Sequence, residues 1–206
     1  MNEKKFFSTR NVTYLAVLMA LVILFQVLSG FMKIGTTTFC LVLVPIVIGG
    51  IILGARAGAF LGLAFGLVVI VDALCGLDPF TLYMIEDQPI LAPLLCIVKG
   101  VAAGVVPALL FKLIAKKNKY VAVFVAAAAA PIVNTGIFII GALMMSGLIM
   151  DAMGAFGIDV TGKSAFYVVV VIGVGINFFV EFAINLVLAP SIYTVTKVVE
   201  RRRNRG

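Results

Sequence analysis

Three ionisable side chains, Asp72, Lys99 and Glu181, interrupt long apolar stretches of the sequence. An ionisable group is costly to place in hydrocarbon, so each of them marks a candidate functional site. Lys99 follows ILAPLLCIV and precedes GVAAGVVPALLF, and it must therefore meet a counter-charge, water or an anion. Two interpretations stay open for it: a pair with Glu181 that fixes helix packing, or a cation that binds a ligand carboxylate. Asp72 is either a solvated helix end or a binding group.

Asn177, Glu181 and Asn185 are spaced four residues apart. In a helix this spacing stacks all three side chains on one face. A polar stripe inside an apolar segment must point away from lipid. The stripe predicts either hydrogen bonds between helices, each contributing about 0.6 kcal/mol, or a carboxylate and two amides that contact a ligand.

A further polar group, Asn134 and Thr135, follows Pro131 in another apolar segment. Proline frees the carbonyl four residues before it and favours a kink. Freed backbone groups and amide side chains can then face a cavity. A pocket and ordinary helix packing are both compatible with this pattern.

The composition indicates a membrane protein, because 63% of the residues are hydrophobic, 12% are charged and the mean hydropathy is +1.23. These values lie outside the range of soluble domains. The sequence contains no histidine, which excludes serine–histidine hydrolysis and histidine-ligated metals. Cys40, Cys75 and Cys96 lack the close pairing of a disulfide framework or zinc site. The net charge of +7 comes from basic residues beside apolar segments, so nucleic-acid binding is disfavoured.

The apolar segments run continuously rather than alternating, which predicts helices and not barrel strands. We expect an all-α membrane protein: one domain over residues 1–206, folded as a single compact bundle of six transmembrane helices. The helices are predicted at residues 11–32, 39–54, 57–75, 90–114, 120–149 and 165–199. A span needs roughly 20 residues, so the second is short. The last two are long enough to tilt, to break near Pro131 and Pro190, or to project from the bilayer.

The basic residues predict the orientation of the chain. Thirteen Lys and Arg residues fall on one side of a six-span arrangement, and only Lys33 and Lys163 fall on the other. The loops on that other side are acidic. Cytoplasmic loops and tails collect Lys and Arg, so both termini are expected in the cytoplasm. The basic set is Lys4, Lys5, Arg10, Arg56, Lys112, Lys116, Lys117, Lys119, Lys197, Arg201, Arg202, Arg203 and Arg205.

Two loops on the acidic side are long: Gly76 to Pro89 and Asp151 to Lys163. The first mixes aromatic, acidic and amide groups and contains Tyr83. Such a loop suits a lid over a pocket, since loops on a rigid scaffold often carry function. An ordinary solvated connector is the alternative.

The first helix carries A-x-x-x-A at Ala16 and Ala20, and Pro45 to Val68 reads PIVIGGIILGARAGAFLGLAFGLV. Small residues at this spacing let helices approach closely. With six helices and cytoplasmic termini, the chain resembles the S-components of energy-coupling factor (ECF) transporters. The segment PIVNTGIF, Pro131 to Phe138, is similar to their fifth-helix segment.

The resemblance implies a non-enzymatic plasma-membrane subunit, without a cofactor, that captures a vitamin from outside. It implies a transmembrane scaffold subunit that contacts Ala16 and Ala20, and two cytoplasmic ATPase subunits. In that family the S-component topples in the membrane to release its cargo. In agreement, this chain lacks the G-x-x-x-x-G-K-[ST] phosphate loop.

The candidate substrate-binding residues are Lys99, Asn134, Thr135, Phe138, Asn177, Glu181 and Tyr83. Trp is absent, so the chain has fewer aromatic side chains on which a large flat ring of a ligand could stack. Pantothenate fits better, because its carboxylate suits Lys99 and its hydroxyl and amide groups suit the Asn and Glu side chains. Riboflavin, folate or another vitamin is the alternative.

A self-sufficient proton-coupled transporter is an alternative of another class, with Asp72, Lys99 and Glu181 as a proton relay. Internal inverted repeats would favour it, and none is convincing. An intramembrane enzyme is disfavoured, because the sequence shows no histidine, paired acidic cluster or nucleophile motif.

Overall fold

The computed structural model describes residues 8–31, 33–34, 37–38 and 41–204, and nearly all of them are helical, which confirms the all-α class. The helices are α1 (Thr9–Phe31), α2 (Leu43–Leu53), α3 (Ala55–Leu74), α4 (Pro79–Asp87), α5 (Leu91–Ile114), α6 (Lys119–Met144), α7 (Ser146–Ala155), α8 (Ala165–Tyr167) and α9 (Ile176–Asn204). A π-helical segment, Val168–Gly175, joins α8 to α9. Two short strands, β1 (Lys33–Ile34) and β2 (Thr37–Thr38), pair after α1. Of the residues used in the predictions, Lys4, Lys5, Met32, Cys40 and Arg205 lie outside the described ranges.

Five described helical segments, rather than six, are long and apolar enough to cross a membrane. They are α1, α3, α5, α6 and the continuous segment from α8 through α9. The helix predicted at 39–54 is α2, which has only 11 residues. At 1.5 Å per residue it is about 16 Å long, roughly half of the hydrocarbon thickness. The chain is therefore a membrane-embedded bundle in which α2 is too short to cross alone.

The last two predicted spans end elsewhere than expected. The helix predicted at 120–149 stops at Met144, and α7 then occupies part of the predicted loop at 151–163. The helix predicted at 165–199 continues to Asn204 and contains the π-helical segment. Neither Pro131 nor Pro190 ends its helix. Surrounding helices can satisfy the carbonyl that an interior proline frees, so a break is not required in a bundle.

The predicted loop at 76–89 contains α4, whose start is fixed by its own sequence. The Thr81 backbone N–H donates to the Asp78 carboxylate at 3.2 Å, and the Thr81 hydroxyl donates to the same carboxylate at 2.5 Å. Asp78 thus caps the helix, and Pro79 follows at the first helical position, where its missing N–H is not needed. The candidate lid is therefore a short capped helix.

The closest helix contact joins α3 and α5, which run antiparallel. A methyl group on Gly58 would overlap the Gly104 carbonyl, and one on Gly62 would overlap the Gly100 carbonyl. Without side chains on these faces the two backbones touch, as small residues permit in membranes. This contact fixes α5, and with it Lys99, against the bundle.

The two ends of the bundle differ in charge. Arg56, Lys112, Lys116 and Lys119 line one cavity, and this end is called the basic end. At the other end α4 packs against α7, with the Phe80 and Phe156 ring centroids 6.3 Å apart. This acidic end carries Asp78, Glu86, Asp87, Asp151 and Asp159. Four residues of the predicted basic set thus lie together at one end of the fold.

Two apolar clusters form the interior. One, nearer the basic end, is built mainly from α2, α3, α6 and α9 and includes Ile46, Leu61 and Ile192. The other, at the acidic end, is built from α4, α6, α7 and the π-helical segment and includes Ile149 and Val168. Along α6 and along α9 with the π-helical segment before it, polar side chains lie between residues of these two clusters.

We predict that Gly62→Ala destabilises the fold, because the added methyl group must displace the α5 backbone. Overpacking of this kind costs about 1–3 kcal/mol. The measurement is thermal unfolding in detergent, followed by circular dichroism. Gly147→Ala is the matched control, since nothing lies within 4 Å of the added methyl group there. Equal melting temperatures for the two variants would refute the close α3–α5 contact.

Candidate functional site

A polar layer separates the two apolar clusters, and three helices contribute to it. Lys99 comes from α5, Asn134 and Thr135 from α6, and Asn177 and Glu181 from α9. On α6, Ala130 belongs to the cluster nearer the basic end, and Phe138, four residues after Asn134, packs against the acidic-end cluster. Helix α6 packs against both α5 and α9. Lys99 of α5 lies beside Phe138 of α6, so the polar residues of these two helices are close together.

Glu181 is the most deeply placed charge of this layer, with only 3% of its surface exposed. The Asn177 amide donates to Glu181 Oε1 at 3.4 Å, and the Asn185 amide donates to the Glu181 backbone carbonyl at 2.9 Å. The predicted stripe on one face is thus seen, and its members bond to one another. Both hydrogen bonds lie within α9, so neither of them joins α9 to another helix.

Four buried acceptor atoms have no hydrogen-bond partner within the described part of the chain: Asn134 Oδ1, Asn177 Oδ1, Glu181 Oε2 and Asn185 Oδ1. A buried acceptor left without a donor costs about 1–3 kcal/mol. Native structures seldom leave several such atoms together, and each one calls for an explanation. A ligand that carries hydroxyl or N–H donors would satisfy them.

Lys99 lies at the edge of this layer, half-buried, with its Nζ 5.1 Å from the centroid of the Phe138 ring. Within residues 41–204, Lys99 and Glu181 form no salt bridge. The Lys99 ammonium thus lies beside an aromatic ring and not in an ion pair with a described carboxylate.

The remaining candidates are placed as follows. Thr135 is buried on α6, next to Asn134. Tyr83 is half-buried on α4, and no hydrogen bond between described residues links it to the polar layer. Ala16 and Ala20 are exposed on one face of α1, so that face is accessible to another subunit.

Asp72 is neither a solvated helix end nor part of the polar layer. It is 3% exposed, and the Gln26 amide of α1 donates to its carboxylate at 3.1 Å. Gln26 is a polar residue within the apolar run YLAVLMALVILFQVL, a signal that could have marked it as a candidate. The contact ties α1 to the end of α3.

Outside the spans, Asp159 organises the segment after α7. The Thr161 backbone N–H donates to its carboxylate at 3.0 Å. This hydrogen bond, together with the Thr161 side chain and the Lys163 charge, lowers the pKa of Asp159. Among the residues that the structure describes, no three His, Cys, Asp or Glu side chains are grouped so as to hold a metal ion.

A sequence model of the family described as ECF transporter, substrate-specific component, matches residues 10–193. The match includes every residue of the polar layer and both alanines of the α1 face. No curated protein matches the chain. The family is one of transporter components and not of enzymes.

We predict that Gln26→Leu lowers the melting temperature, because Asp72 loses a buried donor. The expected cost is about 1–3 kcal/mol, the penalty for removing a partner from a buried polar group. Leu24→Ala, at an exposed position on the same helix, is the control and should melt close to the wild type. Thermal unfolding in detergent measures both variants. A Gln26→Leu protein as stable as the control would show that this hydrogen bond contributes nothing.

Proposed function

Because the chain belongs to the family of ECF transporter substrate-specific components, we propose that it binds a small water-soluble vitamin in the polar layer. Pantothenate is the ligand that we favour. Two observations on the described residues support the proposal: Lys99 forms no salt bridge, and four acceptor atoms of buried side chains have no hydrogen-bond donor. An anionic ligand with several donors complements both sets of groups.

The functional groups of pantothenate correspond to those of the polar layer. Its carboxylate would accept hydrogen bonds from Lys99, a charge-assisted contact that is stronger than a neutral one. Its two hydroxyls and its amide N–H would donate to the free oxygens of Asn134, Asn177 and Glu181. Phe138 would bound the carboxylate end, and Thr135 would add a hydroxyl. Tyr83, on α4, would close the site from the acidic end.

A large flat vitamin such as riboflavin or folate is served less well by this layer. Of the site residues that we propose, only Phe138 and Tyr83 are aromatic. The polar layer offers mainly hydrogen-bond acceptors, which favour a flexible, hydroxylated ligand.

We further propose that the whole chain forms one S-component domain in the plasma membrane, with the basic end and both termini in the cytoplasm. The vitamin would then enter from the acidic end. Family membership implies association with a scaffold subunit and ATPase subunits. We assign the scaffold contact to the α1 face that carries Ala16 and Ala20. Exposure of both alanines supports this assignment.

We predict that Lys99→Met weakens pantothenate binding by about 10- to 100-fold, the effect of losing a hydrogen bond to a charged group. Methionine keeps much of the side-chain volume and removes the charge. Isothermal titration with purified protein measures the affinity. Glu86→Gln, at an exposed position of the acidic end, is the control and should bind as the wild type does.

A second ligand, panthenol, tests whether Lys99 contacts the carboxylate itself. Panthenol has an alcohol in place of the carboxylate of pantothenate. If Lys99 binds the carboxylate, panthenol binds the wild type weakly and loses little further in Lys99→Met. Equal losses for the two ligands would show that Lys99 acts on the fold and not on the carboxylate. A wild-type protein that binds a different vitamin and ignores pantothenate would overturn the choice of ligand alone.

We predict that Ala16→Phe or Ala20→Phe abolishes vitamin uptake and leaves vitamin binding unchanged, because a bulky side chain separates α1 from the scaffold. Uptake is measured in proteoliposomes that contain the scaffold and ATPase subunits. Ala183→Phe is the matched control, an exposed alanine on α9. Loss of binding in the α1 variants would contradict a docking role. Accumulation by this chain alone under a proton gradient would instead support a self-sufficient transporter.

A further inference from the structure

A cavity of about 670 Å³ opens at the basic end of the bundle, apart from the polar layer. It lies where α2 turns into α3 and where α5 is followed by α6. Gly54, the residue between α2 and α3, has a φ of 93°, so the chain reverses there without a longer loop. The lining used below consists of Ile52, Arg56, Leu109, Lys112, Lys116 and Lys119.

The charges of this cavity are unbalanced. Among the described residues that line it are Lys112, Lys116 and Lys119 besides Arg56, and one carboxylate, that of Glu200. That carboxylate is already occupied, because Lys119 Nζ lies 2.8 Å from it. In the stretch from residue 41 to 204, neither Lys112 nor Lys116 forms a salt bridge. The cavity therefore presents two lysines that are available to an anion.

Part of the cavity wall is apolar. Leu109 lies three residues before Lys112, on the same side of α5, and is 46% exposed. Ile52 lies opposite, near the end of the short helix α2. A ligand held by the lysines would therefore continue along an apolar surface toward the hydrocarbon. A small inorganic anion would use the lysines and leave this surface uncovered.

We propose that this cavity binds the headgroup phosphate of an anionic diacyl phospholipid. Lys112 and Lys116 contact the phosphate, Arg56 borders it, and an acyl chain lies along Ile52 and Leu109. Basic pockets between transmembrane helices recognise anionic headgroups through this combination of charge and apolar contact. The lipid would fill the space beside the short α2.

The test is native mass spectrometry of the delipidated full-length protein in detergent, titrated separately with dioleoylphosphatidylglycerol and dioleoylphosphatidylcholine. We expect the anionic lipid to be retained and the zwitterionic lipid to be lost. The double variant Lys112→Gln/Lys116→Gln should bind the anionic lipid about 30-fold more weakly, the effect of removing two basic contacts. Equal retention of the two lipids by the wild type would overturn the proposal.

A charge-matched double variant, Lys117→Gln/Lys163→Gln, is the control. Lys117 directly follows Lys116 but does not line the cavity, and Lys163 lies at the acidic end. An equal loss of lipid in this control would show that overall charge decides binding, against the proposal. Inorganic phosphate is the second probe: if it competes with the lipid at millimolar concentration, the site belongs to a soluble anion. Circular dichroism melts confirm that both variants are folded.

Discussion

The architecture depends on the absence of water in the hydrocarbon core. The lipid around a span contains no water that could hydrate a polar side chain. Such a side chain must therefore face the interior of the bundle, or its exposure to lipid costs several kcal/mol of stability. Lys99, Asn134, Asn177 and Glu181 come from three different helices, and this constraint turns all of them inward. The polar layer that results divides the apolar interior in two. Among the described residues, four acceptor atoms of buried side chains lack a hydrogen-bond partner, and this supports the binding site that we propose.

Close packing of α3 against α5 makes the layer possible. Where Gly58 and Gly62 meet Gly104 and Gly100, the two backbones touch and leave no freedom of position. Lys99 directly precedes Gly100, so the contact fixes the height and direction of the lysine. On the other side, α6 carries Asn134 and Phe138 on one face. The α3–α5 pair thus positions the charge, whereas α6 and α9 carry the acceptors.

Much of this could be predicted from the sequence, because hydropathy and helical spacing are local properties. The continuous apolar runs predicted the helices, and the spacing of Asn177, Glu181 and Asn185 predicted a shared face. The features that could not be predicted, or were predicted wrongly, depend on tertiary contacts or on helix caps. The pairing of Gln26 with Asp72 joins residues 46 positions apart, and no local pattern reveals it. The helix inside the loop at 76–89 could have been found from Asp78, Pro79 and Thr81, a capping sequence that was overlooked. The short α2 shows that an apolar run does not by itself make a span.

The most direct test of the binding site is an experimental structure of the protein purified with its bound substrate. We expect ligand density within hydrogen-bonding distance of Lys99 Nζ and of at least one amide oxygen of Asn134 or Asn177. Density confined to the basic-end cavity or to the lipid-facing surface, with the polar layer closed by contacts among its own side chains, would contradict the assignment.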